Sequence, residues 1–199
     1  LKLHAPVKKE IAIAFDQPWE GPGSSAYNSV FFDGEKYRLY YRACAQKTAK
    51  EKGDLSTAQY TCLALSDDGI HWEKPELGLV EFEGSTKNNI LLSGIMSHNF
   101  SPFLDTNPAC APEARYKAVA GHISTGLVAY QSADGIHWSK MQEEPIIRDG
   151  ALDSQNLCFY DPNIDGYQCY SRYFARPIDW ESEPQDGDCL LYTSPSPRD

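Results

Sequence analysis

Hydrophobic residues occur along the chain in short runs that turn-forming residues separate from one another. Three pairs of these runs, within 28–42, 101–122 and 156–172, each enclose a segment rich in Asp, Gly, Pro or Asn. Paired apolar runs around such a segment are typical of β-hairpins. No stretch of adequate length has the 3.6-residue period of an amphipathic helix. The pattern therefore predicts an all-β fold.

One phrase, S-x-D-G-I-H-W, occurs twice, at 66–72 and again at 132–138. Each copy directly follows an apolar run, over 60–65 and 126–131. Asp-Gly favours a turn, because Gly accepts a positive φ and the Asp side chain can bond the nearby backbone. A repeat with a long fixed period indicates repeated supersecondary units. We expect each copy to form the turn between two outer strands of a small antiparallel sheet.

A second pattern, Phe-x-Asp followed by a turn and a Tyr, begins at Phe31, Phe103 and Phe159. Together with the repeated phrase it predicts successive units of four short strands, with fourth strands over 75–82 and 144–147. Tandem four-stranded antiparallel sheets are the blades of a β-propeller. The sequence predicts a partial propeller of about two and a half blades.

Composition excludes several classes of partner. The net charge is −10 and no basic run occurs, whereas nucleic-acid binding needs clustered Lys and Arg. No apolar run approaches the 20 or so residues of a membrane span. The cysteines match no zinc spacing, and we predict buried thiols in preference to a Cys158–Cys169 bridge. We predict neither a metal site nor a cofactor.

The last eleven residues, 189–199, have a different character. They match the translation of a transposase sequencing adapter, so we predict that the domain spans 1–188 and that 189–199 lies outside it. The chain would then be a piece of a longer protein. No signal peptide is visible and the chain begins at Leu1, which leaves the compartment undetermined, with secretion or the periplasm favoured.

The hairpin over 28–41 and the S-x-D-G-I-H-W phrase resemble the five-bladed propellers of glycoside hydrolase family 32 and its relatives in family 43. The resemblance covers roughly residues 18–174. It implies action on the glycosidic bonds of oligo- or polysaccharides, without a cofactor. In these families three acids, one from each of the first three inner strands, carry out the chemistry. Hydrolysis uses one protonated and one ionised carboxyl group.

The resemblance places these three acids at 26–27, at Asn99 and at Asp153. Only Asp153 carries a carboxylate, and we predict that it is a general acid or base, the alternative being a turn-forming Asp before a strand. His98 is a second catalytic candidate, since His titrates near neutrality, against the alternative of a loop histidine. Glu20 could supply the missing carboxylate from a shifted loop, with Trp19 as a stacking platform, unless both belong to a surface turn.

Five further residues are predicted to bind substrate. Asn99, Gln155 and Asn156 are polar residues that precede predicted inner strands. Arg42 and Arg172 each follow the Tyr of their unit by five residues, which indicates a shared role. That role is either binding of a sugar hydroxyl or carboxylate, or a salt bridge between blades.

Three functions remain open from the sequence. The first is a glycoside hydrolase, which the blade repeat and Asp153 favour. The second is a propeller that binds carbohydrate without catalysis, favoured by the missing acids at two expected positions. The third is a protein-interaction propeller that binds no sugar.

Overall fold

A computed structural model describes residues 4–21, 27–45, 59–174 and 189–192, with side chains up to Tyr173. The described chain is almost entirely β, with two short 3-10 helices at Ile95–His98 and Pro112–Ala114. Three antiparallel sheets follow one another along the sequence. This arrangement confirms the all-β prediction and the partial propeller. Within these ranges no helix is long and apolar enough to cross a bilayer.

The first two sheets have four strands each, in sequential order. The third has three strands, also in sequential order. The strands of the first sheet are β1 (Ser29–Phe32), β2 (Tyr37–Cys44), β3 (Gln59–Ser66) and β4 (Ile90–Ser93). Those of the second are β5 (Ser101–Leu104), β6 (Tyr116–His122), β7 (Gly126–Ser132) and β8 (Ser139–Lys140). Those of the third are β9 (Leu157–Asp161), β10 (Gly166–Phe174) and β11 (Cys189–Tyr192).

The predicted fourth strands differ from those observed. The segment 75–82 forms no strand, because Pro75 lacks an N–H and Gly78 has a φ of 72°, both of which interrupt a ladder. It lies over the first sheet instead, where Val80 and Phe82 pack on the core. In the second sheet, the predicted strand over 144–147 forms only an isolated bridge between Ile147 and Leu127.

The segment Cys189–Tyr192 pairs with β10 through residues 171–174. We predicted from the sequence that 189–199 lies outside the fold. The pairing shows where the backbone of four of these residues lies, and the origin of the segment as an adapter translation stays a prediction. Cys158 and Cys169 face each other across β9 and β10 as free thiols.

Each S-x-D-G-I-H-W phrase forms the predicted turn after the third strand of its sheet. In the second copy, the Ser132 hydroxyl accepts bonds from Asp134 and Gly135, and the Asp134 carboxylate accepts bonds from Ile136 and His137. The first copy has the same bonds at the equivalent residues. These side chains satisfy the backbone N–H groups that a tight turn leaves unpaired.

A buried carboxylate and a tyrosine join each sheet to the next. Asp33, at the turn after β1, pairs with Arg38 and accepts a bond of 2.9 Å from the Tyr116 hydroxyl of the second sheet. At the equivalent place in the second sheet, Asp105 pairs with Lys117 and accepts a bond from Tyr167 of the third sheet. The Phe-x-Asp…Tyr pattern therefore serves contact between sheets.

Candidate functional site

The first strand of each sheet is its inner strand, and the three inner strands, β1, β5 and β9, meet at their N-terminal ends. Their first residues, Ser29, Ser101 and Leu157, pair with Tyr40, Val119 and Tyr170, which makes these positions equivalent in the three sheets. The Gln155 side chain lies where the strands converge. It donates to the Asn28 carbonyl at 3.2 Å and lies 3.3 Å from the Ser101 hydroxyl. We call this convergence the mouth.

Four side chains form a connected group at the mouth: Arg42, His98, Asp153 and Arg172. Arg42 Nη1 lies 3.3 Å from His98 Nδ1. His98 also bonds the backbone of Asp153, and the Asp153 carboxylate forms an ion pair with Arg172. The side chains of Asp153 and Arg172 are 40% and 26% exposed, so solvent and a ligand can reach both. The structure thus brings together two predicted catalytic residues and both predicted arginines.

His98 lies at the end of the Ile95–His98 3-10 helix, and its Nδ1 is 2.7 Å from Gln59 Oε1. Burial lowers the pKa of His98, and the neighbouring Arg42 guanidinium lowers it further, while Asp153 acts in the opposite direction. The ring is therefore neutral near pH 7. A neutral ring suits hydrogen bonding to a ligand better than proton donation at that pH.

Asn99 and Asn156 hold the segment that carries Asp153. Asn99 donates to the Gly121 and Leu152 carbonyls at 2.8 and 2.7 Å, and Asn156 donates to the Leu152 carbonyl at 3.1 Å. Both side chains are completely buried. We predicted them as substrate-binding residues. Their amide N–H groups bond backbone carbonyls that a loop leaves unpaired, which positions the segment, and substrate binding by these residues stays a prediction.

Glu20 and Trp19 lie apart from the mouth. The Glu20 carboxylate is fully buried and bonds Tyr41 and Lys74, and the Trp19 indole donates to Asn89 at 2.9 Å. Tyr41 and Arg42 are consecutive in β2, so their side chains point to opposite faces of the sheet. The first sheet therefore separates Glu20 from the Arg42–His98 contact, and the structure does not bring Glu20 together with Asp153.

Two residues at the mouth were missed in the sequence. Tyr27 lies two residues before β1, at the position equivalent to Asn99 and Gln155, and its ring lies under the Arg42 guanidinium at 4.9 Å. Gln59 begins β3 and contacts His98. The usable signal for Tyr27 was its fixed distance from the inner strand. Gln59 carried no signal, because its contact with the mouth depends on the register of β2 with β3.

A cavity of about 390 Å³ lies at the first outer turn, beside Lys36, His71 and Glu73. Its polar groups already bond one another, as Lys36 does with Asp67 and His71 with Asp68. The mouth therefore remains the better candidate site. In the described ranges no group of three or more His, Cys, Asp or Glu side chains is placed to hold a metal ion.

No family model and no curated protein matches this chain. Among solved structures, the chain is similar to a variant fructofuranosidase from Schwanniomyces occidentalis complexed with fructosylnystose. The TM-score is 0.50 and the sequence identity is 17% over 82% of this chain. The chain spans 34% of that protein's length. At this identity the likeness concerns the fold alone.

Proposed function

We propose that the protein is a carbohydrate-active propeller of the glycoside-hydrolase type, in which the mouth binds a glycan and Asp153 supplies a carboxylate for cleavage of a glycosidic bond. The observation that carries the proposal is the accessible Asp153–Arg172 pair beside His98, at the convergence of the inner strands. The fructofuranosidase with a similar fold is complexed with an oligosaccharide, which favours a glycan as the ligand.

The proposal gives different roles to the residues of the mouth. The ion pair with Arg172 requires Asp153 in its ionised form, which suits a base or nucleophile and not the general acid. His98 and Gln155 offer hydrogen bonds to sugar hydroxyls. Tyr27 offers a ring face to a sugar. Glu20 has no part in this proposal, because it is enclosed on the other face of the first sheet.

A second candidate, glycan binding without hydrolysis, is favoured by one specific observation. Glycoside hydrolysis uses two carboxyl groups, one protonated and one ionised. The three equivalent positions before the inner strands hold Tyr27, Asn99 and Gln155, and none of these is an acid. Asp153 is the one carboxylate that the described residues place in the connected group at the mouth.

Replacement of Asp153 distinguishes the two candidates. In the full chain, Asp153→Asn should lower hydrolysis of a glycan panel that includes fructosylnystose by about a hundredfold or more, while glycan binding persists. The exposed Asp149 gives a matched control, and Asp149→Asn should leave both hydrolysis and glycan binding unchanged. Reducing-sugar release and calorimetric titration are the measurements.

The wild-type protein also decides between the candidates. Glycan binding without release of any product would contradict the hydrolase hypothesis and support glycan binding without hydrolysis. An absence of binding across the whole panel would contradict both candidates and leave the protein-interaction propeller. Unchanged hydrolysis in Asp153→Asn would take Asp153 out of the reaction.

A further inference from the structure

The connected group at the mouth has more cationic than anionic groups. It contains two guanidinium groups, of Arg42 and Arg172, and one carboxylate, which Arg172 engages. His98 is neutral near pH 7 and adds no charge. Among the described residues no carboxylate lies within ion-pair distance of Arg42, although the whole chain has a net charge of −10. An acidic protein thus places an excess positive charge at its candidate site.

Arg42 is held in place but incompletely satisfied. One end of its guanidinium contacts His98, and the group lies over the Tyr27 ring. Its Nε is buried and has no hydrogen-bond partner among the described residues. A guanidinium that is partly removed from water without a paired anion is unfavourable. The fork of the Arg guanidinium matches the oxygen atoms of carboxylates and of other oxyanions, which would pair its charge.

Tyr27 shows a second unusual feature at the same place. Its φ is 59°, in the left-handed region that non-glycine residues rarely adopt. Backbone conformations of this kind are concentrated at ligand-binding sites, where the surrounding structure maintains them. Here the conformation coincides with a ring that contacts both Arg42 and His98, with ring centroids of Tyr27 and His98 5.4 Å apart.

The second sheet has a glycine at the position that holds arginine in the first and third sheets. Two residues beyond the equivalent Tyr40, Val119 and Tyr170 lie Arg42, Gly121 and Arg172. A Cβ atom at Gly121 would lie 3.0 Å from Leu127 and 3.1 Å from Leu152. Glycine therefore allows Leu152 to approach β6, and the next residue, Asp153, reaches both His98 and Arg172.

We propose that the mouth selects a glycan whose sugar carries an anionic group, a carboxylate or a sulfate, and that Arg42 binds this group. Tyr27 supports the guanidinium from below, and Arg172 orients Asp153 against the same sugar. The inference rests on the proposed function, because it takes a glycan as the ligand. It adds that the sugar is anionic and that Arg42 recognises the anionic group.

The test compares matched pairs of ligands with the full chain. One pair is tetragalacturonate and its methyl ester, and the other is a sulfated galactan tetrasaccharide and its desulfated form. Calorimetric titration should give at least about tenfold tighter binding of the charged member of one pair, because a hydrogen bond to a charged partner is strong. The pair that shows the preference identifies the anion. Added NaCl should reduce this preference.

Variants test whether Arg42 causes the preference for the charged ligand. Arg42→Gln should bring the affinity ratio of the preferred pair close to one, and Arg42→Lys should retain part of the ratio, because it keeps the charge but loses the fork. Arg148 is exposed and paired with Glu144, so Arg148→Gln removes one positive charge elsewhere and should leave the ratio unchanged. Circular dichroism confirms the folding of each variant. If Arg42→Gln does not fold, Arg42→Lys carries the test, and an undiminished ratio in that variant overturns the assignment.

The outcomes separate this inference from the function on which it rests. Equal affinity for the charged and neutral members of both pairs overturns the inference and leaves glycan binding intact. A preference that persists in Arg42→Gln also overturns the assignment of Arg42. Failure of all four ligands, together with the neutral glycans of the panel, overturns the proposed function as well.

Discussion

The two outer turns and the mouth differ in how closely they repeat. The turns at 66–72 and 132–138 have the same residues at most positions and the same set of hydrogen bonds. At the mouth, the equivalent positions carry Arg42, Gly121 and Arg172, and before the inner strands Tyr27, Asn99 and Gln155. The repeated residues of the turns form and join the sheets, whereas most positions that line the candidate site differ between sheets, with the arginine shared by the first and third sheets as the exception. Function is therefore to be sought where the repeat is broken.

Even the two turns are not equivalent in their surroundings. The second turn packs against the first sheet, where Tyr40 donates to the Gly135 carbonyl at 2.9 Å and Arg38 donates to the Asp134 carbonyl at 2.9 Å. Trp138 packs in the same interface. The first turn borders the open cavity beside Lys36. One sequence thus serves as a turn in both places and as a contact between sheets in only one.

The largest effect should come from a repeated contact. Asp33 is buried, and its carboxylate bonds Arg38, Tyr116 and the backbone N–H groups of Glu35 and Lys36. Burial alone would raise the pKa of Asp33, but these hydrogen bonds outweigh it and hold the pKa well below its usual range. Asp33→Ala leaves a partly buried Arg38 without its partner and should lower the free energy of unfolding by about 3 kcal/mol.

Denaturant unfolding measures this change, and Asp67→Ala is the control. Asp67 pairs with Lys36 at the surface, so its loss should cost well under 1 kcal/mol. Glycan affinity of folded Asp33→Ala should remain unchanged, since Asp33 lies outside the connected group at the mouth. A variant that lost affinity while keeping its stability would contradict the division between repeated and variable residues.

The sequence predicted the repeated parts of the structure better than the candidate site. The turns and the hairpins depend on residues close in sequence or repeated between units, so pattern alone identified these elements, whereas the contact between Asp33 and Tyr116 was not predicted. The fourth strand was misplaced because apolar residues over 75–82 cover a sheet face without joining its ladder. Residues packed over a face and residues within a strand can have the same composition.

The mouth was predicted only in part. Asp153 was predicted from the family resemblance, Arg42 and Arg172 from their equal offsets in two units, and His98 from its position before a strand, and the functions of these residues stay predictions. Glu20 looked like a loop carboxylate in sequence, but Tyr41 and Lys74 enclose it on the far face of the sheet. Asn99 and Asn156 were predicted as ligand contacts, and the sequence did not show that their amide N–H groups bond buried backbone carbonyls. Burial arises from contacts distant in sequence, which a single sequence does not display.

An intermediate effect should separate the two turns. Gly69 and Gly135 have φ values of 75° and 73°, so alanine is strained equally at both positions. At Gly135 the added Cβ would lie 2.6 Å from the Tyr40 hydroxyl oxygen and 2.9 Å from Arg38 Nη1. At Gly69 its nearest neighbour would be the Tyr37 ring at 3.5 Å. Gly135→Ala should therefore be less stable than Gly69→Ala by about 2 kcal/mol.

Thermal and denaturant unfolding of the two alanine variants give this difference directly. Each glycine is the control for the other, because the backbone strain is common to both. Equal losses would show that the second turn does not carry the contact between sheets. Tyr40→Phe gives an independent check, since it removes the 2.9 Å bond to Gly135 and should cost about 1 kcal/mol.

The smallest effect concerns two histidines, one in each region, that should respond to pH in opposite directions. The hydrogen bond to Asp68 raises the pKa of His71 in the first turn, whereas burial and Arg42 lower the pKa of His98 at the mouth. The unfolded value for both is about 6.5. His98 therefore contributes stability that is present above pH 6.5 or so and is lost as the pH falls below it. His71 contributes stability that is present below that pH and is lost as the pH rises through its raised pKa.

Melting temperatures between about pH 5 and pH 8 test this contrast, since single titrations of this kind shift Tm by about one or two degrees. Relative to wild type, His98→Gln should lose less stability on acidification, and His71→Gln should lose less on moving to higher pH. His98 is surrounded by Arg42, Asp153 and His122, so Arg42→Gln should weaken the acid sensitivity that depends on His98. Parallel profiles for the two histidine variants would show that the mouth and the turn titrate alike, and the electrostatic difference between the two regions would have to be abandoned.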